Sequence, residues 1–186
     1  LGVRTKGTLN LFPLPTSRTV QICSSDYETL YMDEQYSTPF IVVPQVRYDI
    51  NYVVYPKHNK EYELCVTCVD VSTKEVIKSW IIKTKPSHAE INQVIKLNCK
   101  VACVTNVKFL FTNPLDEFSV IAFDSSNKRI MSLEKEMVAF DKNENKFINC
   151  QIKGGRDTGR TVVYVFATDA EDVFNETIQF DINFYN

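Results

Sequence analysis

No run of about 18 apolar residues occurs in this chain of 186 residues, so no segment of it reads as a membrane-spanning helix. Its first residues, Leu1 to Gly7, lack the apolar stretch of a signal peptide, and there is no initiating methionine, from which we expect a piece of a longer protein. Histidine is scarce. His58 lies in the turn-like run Pro56-Lys57-His58-Asn59-Lys60 and His88 in a polar stretch, and neither has a carboxylate or cysteine at a patterned spacing, which leaves a catalytic dyad without support. A net charge of −2 supplies no bulk attraction to nucleic acid or to an anionic membrane, so any such contact needs a local patch. Helical periodicity is nearly absent as well. It is confined to Leu133, Met137 and Phe140, which form either a two-turn helix or a loop followed by a short strand.

What is present is hydrophobic and aromatic material, 44% and 12% of residues, arranged with a period of two. Ile178, Phe180, Ile182 and Phe184 alternate with Gln179, Asp181 and Asn183, the pattern of a strand with one face in a core and the other in water. The segment 161–167 is apolar on both faces and rich in β-branched residues, as a central strand is, and Tyr62, Leu64, Val66 and Cys68 form its counterpart in the first half. Further strands are expected near 19–24, 37–43, 46–55, 76–84, 91–98, 107–112, 118–123 and 145–152.

The two halves echo one another at a spacing of 99 residues: Leu11-Phe12 with Pro15 recurs as Leu110-Phe111 with Pro114, and Val66 with Asp70 as Val165 with Asp169. In each half an apolar strand runs into a proline-containing turn, and later a strand stops at Asp, crosses a polar turn and resumes. A repeat of this length fits one β-sandwich. The fold class expected is therefore all-β, with two tandem immunoglobulin-like sandwiches over residues 1–87 and 88–186 joined stiffly at Lys85–Glu90. Projected backwards, the counterpart of the strand at 91–98 would precede residue 1, so the first domain is expected to lack its opening strand or to begin in a neighbouring domain.

Six cysteines divide three and three, Cys23, Cys65 and Cys68 against Cys99, Cys103 and Cys150, and none repeats at the 99-residue spacing. Disulfides shared by paired extracellular domains would repeat, and Trp80 follows its candidate cysteines instead of lying between them, so reduced thiols in an intracellular protein fit better. Asn175-Glu176-Thr177 is a glycosylation sequon and points the other way. Cys65 and Cys68 form a CxxC, but three residues apart on one strand they face opposite sides and cannot share a metal. Cys99 and Cys103 would share a face about 13 Å apart, beyond chelation unless the backbone turns between them.

Lys153-Gly154-Gly155-Arg156-Asp157-Thr158-Gly159-Arg160 is the local basic cluster singled out for test, and it leads into a strand, whereas a phosphate-binding loop opens a helix. Two readings follow. The run is a flexible hairpin loop, or it is a contact in which Lys153, Arg156 and Arg160 meet an acidic or phosphorylated partner segment. Asp169, Glu171, Asp172 and Glu176 are expected as an exposed acidic turn, and their spacing matches no calcium loop. No residue is assigned a catalytic, metal-binding or cofactor-binding role.

Phe111-Thr112-Asn113-Pro114 closing a strand, Phe118 opening the next, and Val165-Phe166-Ala167-Thr168-Asp169 followed by Asn175-Glu176-Thr177 and Phe180 resemble the carboxy-terminal region of the nephrocystin-4 family. Ser79-Trp80-Ile81-Ile82 adds to the likeness, which spans about residues 66–186. It departs at Lys108, where a Lys-Arg pair is expected, and over 124–140, where only Phe140 stands out. The resemblance implies major-sperm-protein-type, immunoglobulin-like domains in a large non-enzymatic scaffold. That scaffold would sit at the ciliary transition zone and basal body, associated with the cytoskeleton and bound to other nephrocystins. The matched positions are structural under it, with Asn113 and Pro114 as turn formers and Trp80 and Phe180 as core. Three other readings stay open: an extracellular adhesion pair, a motif- or lipid-binding relative of major sperm protein, and an enzyme of unrecognised type.

Overall fold

A computed structural model describes residues 2–58, 60–87, 90–170 and 174–186. The chain forms two compact units, Val3–His88 and Ala89–Asn186, each a pair of sheets closed over its own core.

The first unit runs β1 (Thr5–Leu11), β2 (Arg18–Ser24), β3 (Leu30–Met32), α1 (Glu34–Ser37), β4 (Phe40–Val42), β5 (Tyr48–Val54), β6 (Tyr62–Asp70) and β7 (Val76–Thr84). Its sheets have the orders β1-β5-β3 and β4-β2-β6-β7. Period-two patterning places Leu9, Leu11, Ile50 and Val54 of one sheet against Val20, Ile22, Leu64 and Val66 of the other, an aliphatic core.

The second unit runs β8 (Ile91–Lys100), β9 (Val104–Thr112), β10 (Ser119–Ser125), β11 (Met131–Leu133), β12 (Met137–Phe140), β13 (Asn145–Lys153), β14 (Gly159–Asp169) and β15 (Asn175–Tyr185). Its sheets are β11-β13-β9 and β12-β10-β14-β15-β8. Its core is aromatic where the first is aliphatic. Phe111 meets Phe123 edge-on at 5.0 Å and Phe140 at 5.5 Å, and Phe109 meets Phe180 at 5.5 Å, the edge-to-face geometry that ring quadrupoles favour.

Both units are thus immunoglobulin-like β-sandwiches, and β1 to β7 repeat as β9 to β15. Each strand starts 97 to 101 residues after its counterpart, and the pairings recur, β1 with β5 as β9 with β13 and β6 with β7 as β14 with β15. One part of the echo is nevertheless misplaced. Leu11 is buried and Phe12 is 63% exposed, whereas Leu110 is 47% exposed and Phe111 is buried. The ladders show why, since buried Leu9 pairs with Ile50 and buried Phe109 with Ile148. Phe111 therefore occupies the place of Leu11, and the shared Leu-Phe falls on opposite faces, because a one-residue slip inverts a strand. Val66 and Val165, both fully buried, are true equivalents.

The segment expected as helix or loop and strand, 133–140, is the latter, with β11 ending and β12 following it, while the one helix among the described residues is the single turn α1. Phe180 is fully buried as expected of a core residue, but Trp80 is only half-buried, packed against the first core from its margin. Asn113 is the turn former that its motif suggests. Fully buried, it donates from Nδ2 to the carbonyls of Glu117 (2.9 Å) and Asp141 (3.0 Å), while its Oδ1 accepts from Leu115 N–H and Ser119 Oγ–H, both at 3.1 Å. Those four bonds use the full capacity of the amide and tie the β9–β10 turn to the β12–β13 turn.

Candidate interaction surface

Lys153 closes β13, Arg160 lies near the start of β14, and Arg156 is in the connection between them. β13 belongs to the three-stranded sheet and β14 to the five-stranded sheet, so the connection crosses the sandwich and is not a hairpin loop. Its root is held firmly. Gly154 N–H donates to Cys103 O at 2.8 Å, and Gly155 O accepts from Ala102 N–H at 2.9 Å. A Cβ at Gly154 would lie 2.4 Å from the carbonyl oxygen of Lys100, which explains the glycine by close approach of backbone. Lys153, Arg156 and Arg160 are all exposed, and none forms an ion pair among the described residues. Arg160 lines a groove of about 460 Å³ on the five-stranded sheet together with Lys96, Asp181 and Asn183.

The cysteines separate as strand geometry requires. Cys68 is fully buried and Cys65 half-buried on the opposite side of β6, and burial pushes the Cys68 thiol up to about 11, with Cys23 and Asp70 adding to the effect. The backbone does turn between Cys99 and Cys103, through Ala102 at φ 53, leaving Cys99 buried and Cys103 exposed. Cys150 is buried and its thiol is likewise raised to about 11. All six are free thiols. Among the described residues no group of three or more His, Cys, Asp or Glu side chains could hold a metal ion.

His58 sits at the surface with its backbone N–H donating to Tyr62 Oη, and partial desolvation, then Lys60 and Lys57, lower its pKa. His88 lies outside the described residues, as do Glu171 and Asp172. The other two members of the expected exposed acidic turn are in fact half-buried. Asp169 accepts the Phe174 N–H at 3.0 Å, and Glu176 is pushed above the usual carboxylate range by burial. The corresponding Asp70 is buried and held below that range by N–H groups of Thr73 and Ser72, then by Arg18 at 3.2 Å. Asn175 of the sequon is half-buried at the start of β15.

One surface escaped the sequence reading. β7 is paired with β6 on one side and with nothing among the described residues on the other. Its inward row, Ile77, Trp80 and Ile82, is only half-buried, and outward Ile81 is 61% exposed. The signal available was the mixed run Ile77-Lys78-Ser79-Trp80-Ile81-Ile82-Lys83, which fits a half-solvated strand but does not say which of its edges is paired.

Residues 1–87 match the family of the NPH4 Ig-like domain 3. No curated protein sequence matches the chain. Solved structures with a similar fold include SSP-19, an MSP-domain protein like family member in Caenorhabditis elegans, at 13% identity and TM-score 0.37, covering 50% of this chain and 94% of that one. WR4, an MSP family member of the same organism, has 13% identity and TM-score 0.37 over 50% of this chain and 97% of its own. A protein of unknown function from Porphyromonas gingivalis W83 has 8% identity and TM-score 0.45 over 96% and 91%. The chain is a tandem of immunoglobulin-like β-sandwich units, a type of protein-interaction module, whose first unit matches the family of the third such domain of NPH4.

Proposed function

We propose that the chain is a non-enzymatic protein-interaction module of a nephrocystin-4-type scaffold, acting at the base of the cilium and bound to other scaffold proteins of that class. The observation that carries this reading is the family match over residues 1–87, followed at once by a second sandwich whose β9 to β15 repeat the order of β1 to β7. The resemblance of residues 66–186 to the carboxy-terminal region of the same family supports it from the sequence side. Both tandem domains, bounded near residues 87 and 88, then serve as display surfaces. Affinity comes from sheet edges and loops, with Lys153, Arg156 and Arg160 as a cationic contact for an acidic or phosphorylated segment.

The test is proximity labelling in ciliated cells with the chain fused to a biotin ligase, read by imaging and mass spectrometry. Enrichment of basal-body and transition-zone proteins over ligase alone is the expected result. A labelling profile indistinguishable from ligase alone refutes the ciliary role. Reversing the charges at Lys153, Arg156 and Arg160 together is expected to remove part of that profile, and an unchanged profile removes this loop from the interaction surface.

A further inference from the structure

Charge in the second unit is sorted along its strands. β8 lies parallel to β15, so the β8–β9 turn, the β13–β14 connection and the close of β15 share one end. Lys153 N–H donates to Ile130 O at 2.8 Å, which brings the β10–β11 turn to the same place. Lys100, Arg129, Lys153, Arg156 and Arg160 stand at this end, all exposed and none in an ion pair among the described residues. Asp157 is the acid of the same connection, and Lys128 is already matched by Glu136 at 2.7 Å and Asp124 at 3.5 Å. The opposite end carries Asp116, Glu117, Asp141, Glu144, Asp169 and Glu176, and its lysines Lys142 and Lys146 are paired with Asp116 and Glu144.

The cations surround an uncharged tip. Val101-Ala102-Cys103-Val104 turns β8 into β9, and Ala102, Cys103 and Val104 are exposed, the valine by 59%. The bonds of Ala102 N–H to Gly155 O and of Gly154 N–H to Cys103 O clasp this tip to the cationic connection, so the apolar and charged groups are presented as one body. We infer that this end of the second unit docks on an anionic lipid bilayer, with Ala102, Cys103 and Val104 entering the headgroup region and the five cations set against lipid phosphates and carboxylates. This goes beyond the protein contact proposed for three of those cations, which leaves Lys100, Arg129 and the tip without a role. An extended acidic peptide is best met by cations in a row along one strand or groove. Here they come from three separate connections and rim an apolar tip that a carboxylate has no reason to meet. Exposed apolar surface and a basic patch are the two anchors that peripheral attachment combines, each weak alone. The acidic opposite end is repelled by the same surface, so the polarity also sets which end faces the bilayer.

The test is sedimentation of the full chain with sucrose-loaded vesicles, phosphatidylcholine alone against phosphatidylcholine with about 30 mol% phosphatidylserine. Binding to the anionic vesicles is expected to exceed binding to the neutral ones about tenfold or more at ~150 mM salt, and to fall steeply by ~500 mM as the Debye length shortens. Each cation near such a surface is worth about fivefold in affinity, so Lys100→Ala with Arg129→Ala should weaken binding about twentyfold. Val104→Asp places a carboxylate in the tip and should weaken it about fivefold or more. An environment-sensitive fluorophore on Cys103, confined there by Cys23→Ser and Cys65→Ser, should shift to shorter wavelength on the anionic vesicles alone. Each variant is checked for folding by circular dichroism.

Four results overturn the inference. They are no binding to either vesicle; equal binding to both; unchanged affinity in the Lys100→Ala, Arg129→Ala variant; and an unshifted Cys103 probe on vesicles that do bind. Capture of a decaglutamate peptide without vesicle binding would assign the end to an acidic protein segment and overturn it too. Failure here with proximity labelling intact removes the bilayer contact alone. Failure of the labelling with vesicle binding intact removes the ciliary role alone.

Discussion

Replacing Asn113 tests whether the second unit depends on the polar tie between its turns. The amide makes four hydrogen bonds of 2.9 to 3.1 Å and is fully shielded from water. Each such bond contributes a net ~0.5–1.5 kcal/mol, and truncation also strands the carbonyls of Glu117 and Asp141, so Asn113→Ala should cost about 2–4 kcal/mol once water entry at the turn is allowed for. With a urea dependence of ~2 kcal/mol per molar, the transition of the second unit should fall by about 1–2 M. The assay is urea unfolding of the full chain by far-UV circular dichroism, with Trp80 emission reporting the first unit separately. Asn113→Asp should be worse at pH 7, because a carboxylate oxygen would then face two carbonyl oxygens that now receive N–H groups. Burial and those carbonyls raise the folded pKa of the new carboxyl above its unfolded value of ~3.9. Its penalty is therefore absent below that value, grows as pH rises towards the folded pKa and is complete above it. A loss under about 0.5 kcal/mol for the alanine variant, or an aspartate variant more stable than alanine at pH 7, refutes the reasoning.

Asp70 gives the opposite sign. Its folded pKa is depressed, so its stabilisation is present above the unfolded value of ~3.9 and is lost as pH falls through the folded pKa; Asp70→Asn should flatten the acid limb of melting temperature against pH, measured by differential scanning calorimetry. Gly154→Ala should destabilise by about 1–3 kcal/mol in denaturant unfolding, because the added methyl meets backbone atoms of the β8–β9 turn at 2.4 to 3.2 Å. Thiol labelling of the native chain followed by mass spectrometry should find Cys103 first, Cys23 and Cys65 slowly, and Cys68, Cys99 and Cys150 only after unfolding. Phe111→Ala should cost about 3–5 kcal/mol in the same urea assay, since it removes the ring that meets Phe123 and Phe140.

The long strands were legible because each carries its own pattern. Ile178, Phe180, Ile182 and Phe184 alternate over a half-buried strand, and β15 is that strand with those side chains inside. β3 and β11 were not read as strands and β12 was only one of two readings of its segment, since three or four residues such as Leu30-Tyr31-Met32 are too few to show a period. The Leu-Phe identity misled for a related reason. Identity at a fixed spacing says nothing about which face a residue takes, and one residue of drift between β1 and β9 turns the pair over. Of the candidate surface, the basic run at 153–160 was visible as composition, but its crossing between sheets depends on which strands pair, and pairing is set by distant segments. That β7 pairs only with β6 among the described residues was hidden for the same cause, since pairing partners lie elsewhere in the chain. Trp80 was taken as core from the family resemblance, and its half-exposure became apparent only once the strand order was known.

The parallel pairing of β8 with β15 also sets a schedule for synthesis. β8 is made first of the second unit's strands and finds its neighbour last, after roughly 75 further residues. At ribosomal rates that is an interval on the order of 4–15 s in which Ile91, Val94, Ile95 and Leu97 have no sheet to join. The first unit has no such wait among its described strands, since β7 pairs with the β6 that immediately precedes it. Ribosome-bound chains halted before residue 175 should accordingly show a protease-resistant first unit and a second unit that is still cut throughout.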